Sequence, residues 1–166
     1  MRTAEQPSRK TTDAWNEFMA ETKTILLVDD SENDRVLMRL AFKKASFNWP
    51  MLELCDGEEA IAYLKGDGHY RNRKQFPLPA VMLLDLNLPK KNGFEVLKWA
   101  RVQEAFKRLQ IIVLTASTRQ DDVKRAYYLG ANSFLVKPST TDELVLTIGC
   151  LRDWLQLNQL ASPDEG

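Results

Sequence analysis

Polar residues of three types stand at the ends of apolar runs, and together they suit one kind of chemistry. Asp29 and Asp30 follow Thr24–Val28 (TILLV), Asp85 follows Val81–Leu84 (VMLL), Thr115 follows Ile111–Leu114, and Lys137 follows Ser133–Val136. Three carboxylates gathered at one place repel one another and require a cation. Ligands that are all oxygen select a hard ion, Mg2+ rather than Zn2+. Lys137 adds a second positive charge and Thr115 a hydroxyl donor. These parts suit phosphoryl transfer, in which a carboxylate attacks phosphorus while cation and lysine neutralise the oxygens of the transferring group. Thr115, with a nearby backbone amide, can then hydrogen-bond the acyl phosphate.

For these residues to meet, the apolar runs must lie side by side. Short continuous apolar runs bounded by turn residues read as strands buried on both faces. Met51–Leu54 supplies another strand. Between the runs lie helical patterns. One is capped by Ser31 and extends to about Ala45, with Val36, Leu37, Leu40 and Ala41 expected on its buried face. A second opens at Gly57 and carries Ala60, Ile61 and Leu64. The others run from Gly93 to Val102, up to Leu129 with a cap at Gly130, and over Thr141–Leu157. Five strands alternating with five helices predict an α/β fold with a doubly wound parallel sheet, joined by right-handed crossovers. The carboxyl ends of its strands converge at the topological switch point, where such folds place their sites. Residues 1–22 read as a flexible tail in which Trp15, Phe18 and Met19 form one loose turn. Residues 23–158 read as the folded domain and 159–166 as a second tail. The stretch 66–79, rich in Gly, Pro and Arg, reads as a long surface loop. Its Tyr70, Arg71, Arg73, Lys74 and Phe76 fit either partner contact or a variable insertion.

The totals narrow the classes further. With 44% hydrophobic and 28% charged residues among 166, the chain is that of an ordinary globular protein of one domain. Its 23 basic and 23 acidic residues balance, which argues against a nucleic-acid binder. No apolar run approaches the length of a membrane span or of a signal peptide. Cys55 and Cys150 lack metal-like spacing and read as reduced thiols, consistent with a cytoplasmic protein. With His69 the only histidine, no histidine dyad or multi-histidine metal site can form within one chain.

The phrases LLVDDSENDR, LLDLNLPKKNGFEVL, VLTAS and GANSFLVKP resemble the receiver domain of two-component response regulators over roughly residues 22–157. The resemblance implies the flavodoxin-like strand order 2-1-3-4-5. It makes Asp85 the phospho-accepting residue, with Asp29, Asp30 and Asp85 holding Mg2+ and the backbone carbonyl of Asn87 completing the coordination. Thr115 becomes the switch hydroxyl, Lys137 the phosphate-binding lysine, and Phe134 the aromatic that rotates inward when Thr115 moves. Thr115 lies 30 residues past Asp85 and Lys137 a further 22, as the family's pattern has it. The longer interval between Asp30 and Asp85 comes from the 66–79 insertion. LLDLNLPKKNG, that insertion and a Trp late in the last helix are similar to cyanobacterial phytochrome response regulators.

Such a protein is a phospho-acceptor rather than an enzyme with turnover on a substrate. It carries no GxxxxGK[ST] loop, so its phosphoryl group is expected from the phosphohistidine of a partner kinase, a phytochrome by the narrower resemblance. Output is expected through association. In the last helix Leu144, Ile148, Leu151 and Leu155 fall on one stripe, while Leu146, Cys150 and Leu157, with Trp154 beside them, fall on the opposite one. Val123 and Tyr127 extend that second patch, and a twofold homodimer through the fourth helix, fifth strand and fifth helix is expected. The competing arrangement has the C-terminal residues folded over this surface. Two other readings fit less well. A phosphatase of the haloacid dehalogenase type would carry its nucleophile after the first strand with an acid two residues on, where this chain has Asp85 after the third strand and Asn87. A phosphorylation-independent pseudo-receiver would have no need of Asp30, Asp85, Thr115 and Lys137 together.

Overall fold

A computed structural model describes residues 23–158 of the chain. The two expected tails, including the turn at Trp15, Phe18 and Met19, lie outside the described residues. The strands are β1 (Ile25–Val28), β2 (Met51–Leu54), β3 (Val81–Leu84), β4 (Gln110–Thr115) and β5 (Ser133–Val136). The helices are α1 (Glu32–Lys44), α2 (Gly57–Lys65), α3 (Gly93–Val102), α4 (Gln120–Tyr128) and α5 (Thr141–Leu157). The sheet is parallel throughout, in the order β2-β1-β3-β4-β5, the flavodoxin-like receiver arrangement expected.

The two central strands are buried along their whole length, which explains why they are apolar without alternation. Successive side chains still point to opposite faces. Ile25, Leu27, Val81, Leu83, Ile112 and Leu114 meet α1 and α5 on one face. Leu26, Val28, Met82, Leu84, Ile111 and Val113 meet α2, α3 and α4 on the other. β1 and β3 pair from Ile25↔Val81 to Val28↔Leu84. That register brings Asp29 and Asp85, the next residue of each chain segment, to the same level at the carboxyl edge.

Helix α1 differs from expectation. Its buried face is Met38, Ala41 and Phe42, continued by Ala45, an i, i+3, i+4, i+7 stripe. Val36, Leu37 and Leu40 are exposed instead, at 38%, 39% and 46%. The sequence holds two apolar stripes that share Ala41, and the one that meets Phe47 is buried. Phe42 stacks on Phe47 with ring centroids 5.0 Å apart, and burying a Phe or Met side chain stabilises by about 1.5–3 kcal/mol.

The 66–79 stretch also differs. It contains a 3-10 turn at Gly68–Arg71, and Tyr70 is only 4% exposed. Tyr63, Tyr70 and Phe76 pack edge to face. Arg73 turns inward to donate to the carbonyls of Tyr63 at 2.8 Å and Leu64 at 2.6 Å, the end of α2. Three of the five residues considered for partner contact are therefore engaged within the fold. Burial pushes the Tyr63 hydroxyl up to about 12, with the Arg73 guanidinium opposing. No described helix is long and apolar enough to cross a membrane.

Candidate functional site

At the carboxyl edge Asp29 is 1% exposed and Asp85 6%, while Asp30 faces solvent. One carboxylate oxygen from each can be chosen so that all three lie within 4.8 Å of one another. Backbone amides orient the two buried acids: Ser31 N–H donates to Asp29 Oδ1 at 3.0 Å, and Asn87 N–H to Asp85 Oδ1 at 3.1 Å. The loop after Asp85 returns tightly enough for Gly93 N–H to reach the Leu86 carbonyl at 2.9 Å. A Cβ at Gly93 would lie 2.2 Å from the Asp85 carbonyl oxygen, so this turn admits only glycine.

Lys137, delivered by the end of β5, reaches all of this from the side. Its Nζ is 2.7 Å from Asp29, 2.6 Å from Asp85 and 2.7 Å from Asp34. Burial alone would lower the ammonium, but its bonds to the three carboxylates outweigh that and hold it above its ordinary value. Burial holds Asp29 above the usual carboxylate range even with Lys137 beside it. The two directions conflict only in appearance. One ammonium shared among several acids is over-partnered, while the most buried acid remains under-compensated.

That imbalance is the test of fit for a metal. Asp29, Asp34 and Asp85 share one ammonium, Asp30 stands beside two of them, and the three-residue cluster of Asp29, Asp30 and Asp85 offers only oxygen ligands. Such a donor set suits a hard divalent ion. Thr115 is fully buried at the end of β4, and its Oγ1 accepts from Ser117 N–H at 3.4 Å. The Ser117 hydroxyl itself turns to Asp122 at 2.5 Å. Phe134 is half-buried against the α2–α4 face of the core, and its N–H donates to the Tyr127 hydroxyl at 3.2 Å.

Asp29, Asp30, Asp85 and Lys137 are brought together at this edge, and a residue that sequence reasoning passed over joins them. That residue is Asp34, three positions past the Ser31 cap. Its N–H does bond Ser31 Oγ at 3.2 Å, but its carboxylate takes Lys137. The signal was its place one turn into a helix that starts at the end of β1, which aims an early side chain across the strand ends.

The second apolar stripe of α5 is on the surface: Leu146 is 70% exposed, Trp154 44% and Leu157 86%. Beside it opens a groove of about 570 Å³ lined by Ile112, Leu135, Leu146, Cys150, Leu151 and Trp154. Tyr127 is exposed and Val123 half-buried across the β5 edge.

The profile of the response regulator receiver domain matches residues 25–149. The response regulator Rcp1 of Synechocystis sp. is 38% identical over 135 residues, covering 81% of this chain and 90% of that protein. The Mn(2+)-bound crystal form of Rcp1 covers 84% of this chain and 99% of its own, with a TM-score of 0.76 at 37% identity. A phosphorylated cyanobacterial phytochrome response regulator, RcpA, covers the same shares with a TM-score of 0.78 at 34% identity. A probable methanogenesis regulatory protein, FilR2 of Methanothrix harundinacea, is 37% identical over 141 residues, covering 84% of this chain and 88% of that protein.

Proposed function

The chain belongs to the response regulator receiver domain family, and on that footing we propose that Asp85 is its phosphoryl acceptor, charged by a partner histidine kinase. It is a receiver-domain response regulator of the two-component type, related to phytochrome response regulators. The observation that carries the finer reading is Asp85 itself: a carboxylate 6% exposed, held by an amide on one oxygen and by Lys137 on the other. An Asp85 oxygen attacks the phosphorus of a phosphohistidine, the P–N bond breaks, and the imidazole leaves with its electron pair and takes up a proton. Asp29, Asp30, Asp85 and the Asn87 carbonyl would hold Mg2+, which supplies positive charge against the phosphoryl oxygens. Lys137 moves from Asp85 to a phosphoryl oxygen, and the Thr115 hydroxyl donates to another.

The added charge, about −1.5 to −2, reaches the surface through Thr115 and Phe134. Thr115 leaves space behind when it turns toward the phosphoryl group, and Phe134 moves in. Phe134 lies on β5, and Tyr127 of α4 is bonded to its amide, so the aromatic's movement alters the α4–β5–α5 face. The receiver occupies residues 23–158, and the protein is cytoplasmic. Output runs through a twofold dimer on Val123, Tyr127, Leu146, Cys150, Trp154 and Leu157, an exposed apolar surface of the kind that marks association.

The kinase is of phytochrome type, the reading favoured by RcpA, a cyanobacterial phytochrome response regulator. FilR2 is nearly as similar and bears a name from another signalling context, so a different histidine kinase is the second reading. Incubation with Mg2+ and a small acyl-phosphate donor should label the wild type on one carboxylate and leave Asp85→Asn unlabelled. A wild type that takes no label would end the acceptor assignment. Sedimentation should show a dimer at tens of micromolar that Leu146→Asp disperses. A monomer in both phosphorylation states removes the dimer but leaves the acceptor.

A further inference from the structure

The loop between Asp85 and α3 is held from two sides, and the second hold is at the start of α2. Lys90 has φ +63°, a left-handed conformation rare for residues with a side chain. Its Nζ lies 2.6 Å from Asp56 Oδ2. Asp56 is 5% exposed and caps α2, its other oxygen accepting Glu59 N–H at 2.7 Å. The bond to Lys90 is thus anchored to the first turn of a helix rather than to a mobile side chain. Burial alone would raise the Asp56 carboxyl, but Lys90 and the cap bond pull it below its ordinary value. The ammonium is held above its own, chiefly by the bond to Asp56.

Two further contacts make the hold rigid. At Gly57 a Cβ would lie 1.9 Å from the Lys91 carbonyl oxygen, so helix backbone and loop backbone touch and the loop cannot move closer to α2. At the near end of the loop, Asn87 N–H is bonded to Asp85 and Gly93 N–H to Leu86. Leu88, 9% exposed, is buried in the α2–α4 face of the core. Asn87 lies between these fixed points. Behind Asp56, Glu59 accepts from the Tyr70 hydroxyl at 2.7 Å, which ties the 66–79 insertion to the same helical turn.

We infer that Asp56 and Lys90 are positioning residues for the metal site, a strap that keeps the Asn87 backbone carbonyl in register with Asp29, Asp30 and Asp85. This rests on the acceptor-site reading above. A carbonyl ligand has no side chain to adjust, so its place is set by the path of its loop. Residues that orient ligands from outside the coordination sphere are worth about 10–100-fold in metal affinity when removed.

The experiment is Mn2+ binding to the full chain, followed by the electron paramagnetic resonance of the free ion. Three variants separate geometry from charge. Asp56→Asn keeps a capable helix cap but loses the charge that holds Lys90. Lys90→Gly accepts the positive φ without strain and removes a positive charge near the site. Lys90→Arg keeps the cation. Loss of positive charge at Lys90→Gly would tighten metal binding by itself, and loss of negative charge at Asp56→Asn would weaken it. The strap predicts that both weaken Mn2+ binding about tenfold, that Lys90→Arg stays near wild type, and that the metal-free melting midpoint of Lys90→Gly is unchanged or raised. A merely structural pair would instead lower that midpoint and leave affinity alone. If the wild type binds Mn2+, in a manner lost in Asp29→Asn, but the strap variants bind within twofold of it, the strap is wrong and the site stands. Opposite shifts for the two charge-changing variants overturn it equally, since they report only a long-range field. A wild type that binds no Mn2+ overturns the site and the strap together.

Discussion

Two clusters of potential metal ligands sit at the carboxyl ends of adjacent strands, and they are built from similar residues. Asp29, Asp30 and Asp85 form one; Cys55, Asp56 and Glu59, just past β2, form the other. In each, one ligand atom per residue lies within 4.8 Å of the rest. Their surroundings differ. In the first, Asp29, Asp85 and neighbouring Asp34 converge on the single ammonium of Lys137, with Asp30 beside them. In the second every acid has its own partner. Asp56 has Lys90 and the Glu59 amide, and Glu59 has the Tyr70 hydroxyl, with the Cys55 amide at 3.4 Å. Spacing makes both clusters look like sites. Charge balance separates them, because an acid already satisfied by protein donors gains little from a cation, and an excess of buried negative charge gains much.

The largest test of this contrast removes the shared ammonium. Lys137→Ala leaves Asp29 and Asp85 facing each other with no cation, the costly way to break a buried ion pair. Without divalent ion its melting midpoint should fall by about 4 °C or more, and millimolar Mg2+ should recover a larger share of that loss than it adds to the wild type. An Mg2+ increment equal to that of the wild type would mean the first cluster is not where the ion acts.

The contrast was only half legible in the sequence. β1 and β3 could be read because strands buried on both faces have no choice but to be apolar, and a carboxylate closing such a run stands out. Lys137-Pro138 and Thr115 were legible for the same reason. The second cluster was not, since nothing local distinguishes Asp56 as a cap from Asp56 as half of an ion pair with a residue 34 positions away. Tyr70 and Arg73 were misjudged on similar grounds. An aromatic and a cation in a Gly- and Pro-rich stretch look like surface residues until the chain folds back, where Arg73 satisfies the last carbonyls of α2. The face of α1 failed for another reason: two apolar stripes share that helix, and only the neighbouring Phe47 decides between them.

A smaller effect tests the second cluster directly. Glu59→Gln keeps an acceptor for Tyr70 while removing a charge, and Cys55→Ser removes the sulfur. Neither should change Mn2+ affinity by more than about twofold, whereas Asp29→Asn should reduce it about tenfold or more. If Glu59→Gln loses the ion and Asp29→Asn keeps it, the contrast is inverted and the charge-balance argument fails.

The smallest effect lies in the pH dependence of the Asp56–Lys90 pair. The folded-state value of Asp56 lies below its ordinary one, so the group contributes stability above its unfolded value of about 3.9 and loses it as pH falls through the folded value. Lys90 lies above its ordinary value, so its share is complete below about 10.4 and is lost only as pH rises past the folded value. Between those limits both partners are charged. Lys90 is exposed enough for solvent to screen the pair, so Asp56→Asn should show only a slight deficit in melting midpoint near pH 7. That deficit should persist unchanged to about pH 5, begin to shrink near pH 4 and vanish only below the folded value of Asp56. A deficit that grows on acidification would mean Asp56 is held by something other than its charge, and the strap would then need another anchor.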